Sequence, residues 1–142
     1  MSAAKKIGEL LVQENKINLD QLEKAKIEQK NHGGRLGATL VKLGYIQESD
    51  LSDFVSKQYQ IPSIDLSAFE VDAEIVKLIP KDVCEKHLVF PISKAGDTLV
   101  VAMADPGNIF VRDDLRFVTR MKIEVVVAAE TAITKAIDKL NL

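Results

Sequence analysis

The sequence predicts an α+β protein in two parts. An N-terminal tandem helix-turn-helix repeat, a four-helix subdomain, occupies residues 1–60, and a small α/β layer subdomain occupies 61–142. Three observations predict this. A 24-residue unit occurs twice, at 6–29 and 35–58, with its apolar residues at helical spacing. Beyond residue 60 the pattern gives way to short Val- and Leu-rich runs divided by Gly/Asp turns, which read as strands. Helical periods then alternate with those runs, as in a small layered α/β unit.

The repeat needs no gap. KIGELLVQENKINLDQLEKAKIEQ lies over RLGATLVKLGYIQESDLSDFVSKQ with identities at Gly8/Gly37, Leu11/Leu40, Val12/Val41, Ile17/Ile46, Leu22/Leu51 and Gln29/Gln58. Lys6 and Arg35 match in charge, and Ile7 and Leu36 in shape. In the second copy Leu36, Leu40 and Leu43 recur at helical spacing, and Gly44 supplies the left-handed stop. Asn15 stands at the equivalent place in the first copy, the residue next most tolerant of that backbone. The second helix of the first copy begins near Asn18, a capping residue with Gln21 three positions on. Its apolar positions are Leu19, Leu22, Ala25 and Ile27; Leu51, Phe54 and Val55 serve the second copy. The spacer Lys30-Asn31-His32-Gly33-Gly34 is a loop.

Duplicated packing accounts for the matched leucines and isoleucines. It accounts less well for a glycine early in each first helix, where it costs about 1 kcal/mol against alanine. Nor does it need a basic residue opening each copy and a glutamine closing it, since neither is a core residue type.

In the second part, 59–69 reads as a linker entering a brief strand, 72–79 as a short helix ending before Pro80, and 81–87 as another helix. Residues 88–93 and 98–105 form a β-hairpin around the turn 94–97. A helix over 108–119, a strand over 123–128 and a helix over 130–140 complete the chain.

Composition narrows the function. The chain has 142 residues, 19 basic and 21 acidic, with a net charge of −2, so it lacks the basic excess of a nucleic-acid-binding protein. One cysteine, Cys84, excludes an internal disulfide and suits a reducing compartment. No apolar run reaches the ~18 residues of a membrane span, and the start lacks a signal-peptide core, so a cytoplasmic location without membrane insertion is expected.

Catalytic signatures are sparse. Cys84-x-x-His87 is half of a metal site at most, His32 being the one other histidine, and no metal is expected. There is no Ser-His-Asp set, HExxH, CxxC or GxxxxGK[ST], so no enzymatic activity is expected. Asp105-Pro106 sits where a strand ends and a helix begins, a frequent place for binding groups in α/β folds. Asp105 there either shapes the turn and caps the helix, or accepts hydrogen bonds from a guanine's N1–H and N2–H₂ edge.

The paired units resemble the MshEN domain, the N-terminal domain of type II secretion and type IV pilus assembly ATPases. That family carries tandem copies of RLGxxLxxxGxxxxxxLxxxLxxQ with a five-residue spacer. The resemblance continues through IPKDVCEKHLVFPISKAGDTLVVAMADPGNIFVRDDLRFVT and is nearest to the pilus-extension motor branch. The second copy keeps Arg35, Leu36, Gly37, Leu40, Gly44, Leu51 and Gln58; the first departs at Lys6, Ile7, Asn15 and Lys26.

This resemblance implies a non-catalytic regulatory domain that binds cyclic di-GMP through both copies. Carried over by position, the contacts are Lys6, Ile7, Gly8, Leu11 and Gln29, then Arg35, Leu36, Gly37, Leu40 and Gln58, with Asp105 added from the second part. Two equivalent units suit a ligand made of two equal halves. A basic side chain suits guanine O6 and N7 or a phosphate, and a glycine keeps room for ligand beside a helix start. The implied partners are the motor ATPase core of a longer chain and inner-membrane pilus or secretion platform proteins, which recruit the domain to the membrane; no nucleic-acid polymer is among them. The competing reading is a ligand-free docking domain that tethers the motor to that platform.

Overall fold

The structure, a computed structural model, describes residues 7–68 and 70–141. The chain divides into two compact units, one ending at Leu51 and the other starting at Ser52.

In the first unit, α1 (Ile7–Gln13), α2 (Leu19–His32) and α3 (Leu36–Lys42) pack on one another, and α4 (Glu48–Tyr59) begins. Leu11, Leu22, Ala25 and Leu40 are fully or almost fully buried, joined by Ile17. The α1–α2 turn passes through Asn15 at φ 60, and the turn after α3 through Gly44 at φ 78, so the two copies bend alike. Asn18 caps α2: its Oδ1 accepts the Gln21 N–H at 2.8 Å, and Gln21 Oε1 accepts the Asn18 N–H at 3.0 Å. That reciprocal pair satisfies two helix-end donors. Leu19 and Ile27 depart from expectation, being 62% and 61% exposed. The reason is angular: the stripe through Leu22 and Ala25 leaves Ile27 well off the buried face at 100° per residue.

The second unit holds the rest of α4, a 3₁₀ turn (Leu66–Ala68), α5 (Ala73–Val76), α6 (Lys81–His87), β1 (Val89–Ala95), β2 (Thr98–Met103), α7 (Ile109–Thr119), β3 (Lys122–Val127) and α8 (Glu130–Asp138). The sheet order is β1-β2-β3, antiparallel between β1 and β2 and parallel between β2 and β3. A parallel neighbour requires a crossover, and α7 supplies it. The hairpin turn is tighter than the four residues expected, since only Gly96 and Asp97 separate the strands, with Gly96 at φ 61. Pro91 is tolerated because β1 is an edge strand whose register slips between Pro91 and Ser93. The brief strand expected within 59–69 reduces to one bridge, Ser63 to Val127.

α8 lies on β1 and β2 and meets α6, while α7 packs on β3. Between them Cys84, Val89, Leu99, Val101, Leu115 and Ile133 have no exposed surface. An α+β architecture is thus observed, mostly helical with one small sheet.

Candidate functional site

Arg35 is the N-cap of α3, with extended backbone at φ −90, ψ 146, and makes no side-chain cap. Its carbonyl accepts the Thr39 N–H at 3.0 Å and the Thr39 hydroxyl at 3.1 Å, so the first turn is closed beneath a half-buried arginine. Leu36 and Gly37 follow as the first helical residues, both half-buried; Ile7, half-buried, and Gly8, buried, open α1. Lys6 lies outside the described residues.

The glycines do not keep open space in their side-chain direction. A Cβ on Gly8 would stand 2.6 Å from a Leu22 methyl and 2.8 Å from one of Leu36. A Cβ on Gly37 would stand 2.9 Å from a Leu51 methyl. Each glycine thus lets the first helix of its copy approach a leucine in the first turn of the second. The expectation that these glycines keep room for ligand is corrected on that side, because a leucine already fills the space. Leu11 and Leu40 have no exposed surface and belong to the core of the unit.

Gln29 is placed by the connection between copies. Its Nε2 donates to the Gly34 carbonyl at 3.0 Å, bracing the loop that delivers Arg35. Gly33 also caps α2, its N–H donating to the Gln29 carbonyl at 2.7 Å. The first unit therefore gathers Gln29 and Arg35 around one loop. Gln58 falls in the second unit, exposed near the end of α4.

Asp105 is exposed and starts the turn between β2 and α7. Its Oδ1 accepts the Gly107 N–H at 3.3 Å and its carbonyl accepts the Asn108 N–H at 3.3 Å. Asn108 then caps α7 by accepting the Val111 N–H at 3.3 Å. Tyr59, the residue after Gln58, leans on this turn: a Cβ on Gly107 would stand 2.5 Å from its Oη. Burial first, and then the charge of Asp105, push the Tyr59 hydroxyl above its ordinary value. The second unit therefore brings the end of α4 to the Asp105 turn. Sequence reasoning missed Tyr59.

Cys84 and His87 do not converge on a ligand. Cys84 is wholly buried, while His87 Nε2 meets Asp114 Oδ2 at 2.6 Å and ties α6 to α7. Among the described residues no group of three or more His, Cys, Asp or Glu could hold a metal ion. No helix among them is long and apolar enough to cross a membrane.

A family model described as the MshEN domain matches residues 59–142. The chain belongs to that family. The match begins just after the repeat and takes in nearly all of the second unit. The type IV pilus assembly ATPase PilB of Myxococcus xanthus is 54% identical over 134 residues, covering 94% of this chain and 24% of that protein. PilB of Thermus thermophilus is 36% identical over 170 residues, covering 94% of this chain and 19% of that protein. The chain thus spans about a quarter or less of the length of these relatives. Among solved structures, that of MshE with cdg aligns at TM-score 0.75 and 38% identity, covering 95% of this chain and 98% of that one. The N-terminal domain of XpsE aligns at TM-score 0.78 over 98% of both chains; at 19% identity it is a likeness of fold. MshEN membership thus covers both units by structure and the second by sequence model.

Proposed function

We propose that this MshEN domain is a cyclic di-GMP receptor, the non-catalytic regulatory part of a type IV pilus assembly or type II secretion motor ATPase. The observation that carries the reading is its likeness, along 95% of the chain, to MshE, a protein solved with cdg, that is, cyclic di-GMP. The duplicated unit supports it further, since a ligand of two equal halves calls for two equivalent surfaces.

In this reading Arg35 contacts guanine O6/N7 or a phosphate, with Lys6 in the corresponding role of the first copy. Ile7 and Leu36 supply apolar contact to the purines, and Gly8 and Gly37 are reached along the backbone, their other side being filled by leucine. Leu11 and Leu40 support this surface from the core. Gln29 and Gln58 add polar edges, and Asp105 accepts the guanine N1–H and N2–H₂ donors. Ligand binding biases how the cytoplasmic domain docks on the motor core or on an inner-membrane platform protein, through different affinities for two arrangements.

Titration calorimetry tests this. The intact chain is expected to give saturable heat with cyclic di-GMP, and Arg35→Ala to weaken binding about tenfold or more, the worth of a charge-assisted contact. No heat at high ligand concentration rejects the reading. The nucleotide is expected to be recovered unaltered after long incubation.

One observation favours the docking alternative. α7 turns Phe110 and Phe117 outward, 81% and 77% exposed and two helical turns apart. The proposed partner is an inner-membrane assembly platform protein. Capture of that protein without nucleotide, lost in a Phe110→Ser/Phe117→Ser double variant, supports docking; undiminished capture by the variant refutes this face.

A further inference from the structure

Gly107 poses a specific question, because nothing in its own backbone calls for glycine. Gly33, Gly34, Gly44 and Gly96 have positive φ, and Gly107 does not. What excludes a side chain is space: a Cβ there would stand 2.5 Å from Tyr59 Oη, 2.8 Å from Cζ and 2.9 Å from Cε1. Gly107 is a seat for a tyrosine ring.

Both sides of that contact are pinned. Tyr59 ends α4, and the chain beyond it is turned by Gln60 in the left-handed region at φ 55. The Ile61 N–H donates to the Ser56 carbonyl at 3.0 Å, and the Ser56 hydroxyl donates to the Ile61 carbonyl. Opposite, Pro106 is buried, and Asp105 accepts from Gly107 through Oδ1 and from Asn108 through its carbonyl. A ring pressed on Gly107 therefore resists any swing of the peptide that carries the Asp105 carboxylate. The raised Tyr59 hydroxyl, with Asp105 among its causes, agrees that phenol and carboxylate are neighbours.

We propose that Tyr59 is a positioning residue: seated on Gly107, it holds the Asp105 carboxylate at the angle that accepts a guanine edge, and so sets the preference for guanine over adenine. This rests on the cyclic di-GMP reading above. The chemistry lies in the donors. Guanine offers N1–H and N2–H₂ side by side to two carboxylate oxygens. Adenine presents an N1 lone pair there, which repels them. Discrimination of this kind depends on angle, so a carboxylate free to swing gives up part of its preference.

Two measurements test it on the intact chain. The first needs no ligand. The sequence holds two tyrosines, Tyr45 and Tyr59, and no tryptophan, so a Tyr45→Phe background isolates Tyr59 in an ultraviolet phenolate titration. Asp105→Asn in that background is expected to lower the pH at which Tyr59 ionises; an unmoved titration overturns the proposal. The second compares affinities for cyclic di-GMP and cyclic di-AMP. Tyr59→Ala is expected to lower the guanine-to-adenine ratio about tenfold, the scale of one bidentate base contact. Gly107→Ala, which pushes the ring away, is expected to do the same, and Tyr59→Phe, which keeps the ring, to retain the ratio. An unchanged ratio in both alanine variants, each shown to melt cooperatively, overturns the proposal. Failure of the unaltered chain to bind either nucleotide overturns the receptor reading and this role with it, while leaving the phenol–carboxylate coupling to be seen in the first measurement.

Discussion

Gly8 and Leu22 are so close that a Cβ on the glycine would lie 2.6 Å from a leucine methyl, and Gly37 and Leu51 repeat the relationship at 2.9 Å. These are equivalent positions of the duplicated unit. The early glycine of each copy therefore packs against the leucine in the first turn of its second helix, and the recurrence has a packing cause. The two sites differ in what surrounds them. Gly8 is buried and also meets Leu36, whereas Leu51 is half-buried and has room to turn.

That difference is measurable by urea unfolding. Alanine gains about 1 kcal/mol of helix propensity at either site, against an overpacking cost of about 1–3 kcal/mol in a tight core. Gly8→Ala is expected to destabilise by about 1–2 kcal/mol, on that balance with two leucines to displace. Gly37→Ala is expected to fall within about 0.5 kcal/mol of the starting protein. Equal losses at the two sites would contradict the asymmetry.

Cys84 predicts an alkaline limb. Burial first, then the charges of Asp82 and Glu85, push its thiol up to about 11 from an ordinary 9.0. The folded state holds this proton more tightly than the unfolded chain. The stabilisation is fully present below pH 9 and is lost as pH rises from 9.0 to about 11. Stability is expected to fall by about 2 kcal/mol through this window from Cys84 alone, and Cys84→Ala to flatten that part of the profile. A thiol reagent is expected to label the native chain far more slowly than the unfolded one.

Arg120 ends α7 in the left-handed region, φ 57 and ψ 28, with its N–H donating to the Arg116 carbonyl at 2.8 Å. Such a backbone strains any residue with a Cβ, and glycine is the residue helices favour there. Arg120→Gly is expected to stabilise by about 0.5–1 kcal/mol, raising Tm by about 3 °C. A drop in Tm would mean that the arginine side chain contributes more than its backbone costs.

The two copies differ in their opening cation, Lys6 against Arg35. A lysine is a point charge, while arginine offers a planar fork for paired acceptors. Under the receptor reading, Arg35→Lys is expected to weaken cyclic di-GMP about tenfold and Lys6→Arg to tighten it by a similar factor, since a bidentate contact is worth about 1–3 kcal/mol. Identical calorimetric curves for all three proteins would remove the guanidinium from the contact set.

Much of the fold was legible because its signals are local. Asn15 and Gly44 stand at matched positions and both turn left-handed, at φ 60 and φ 78, as their tolerance of that region foretold. Asn18 and Gln21 close the capping box that their spacing announces. The Val-rich runs pair as a hairpin around Gly96 and Asp97. The candidate site was legible in part: its basic, glycine and glutamine positions follow from the repeat, and Asp105 from the end of a strand.

What stayed hidden depends on which surfaces meet. Leu19 and Ile27 are as apolar as Leu22, yet only Leu22 finds a neighbouring helix to cover it. By itself the sequence determined the order and type of most helices and strands, since periodicity, capping and left-handed residues act within a few positions of the chain. Several ends moved: α2 runs on to His32 and the hairpin turn shrinks to Gly96 and Asp97. The tertiary structure alone decided that Gly8 and Gly37 admit leucines and that Gly107 admits the Tyr59 ring, because close approach is a property of two segments and is written in neither one.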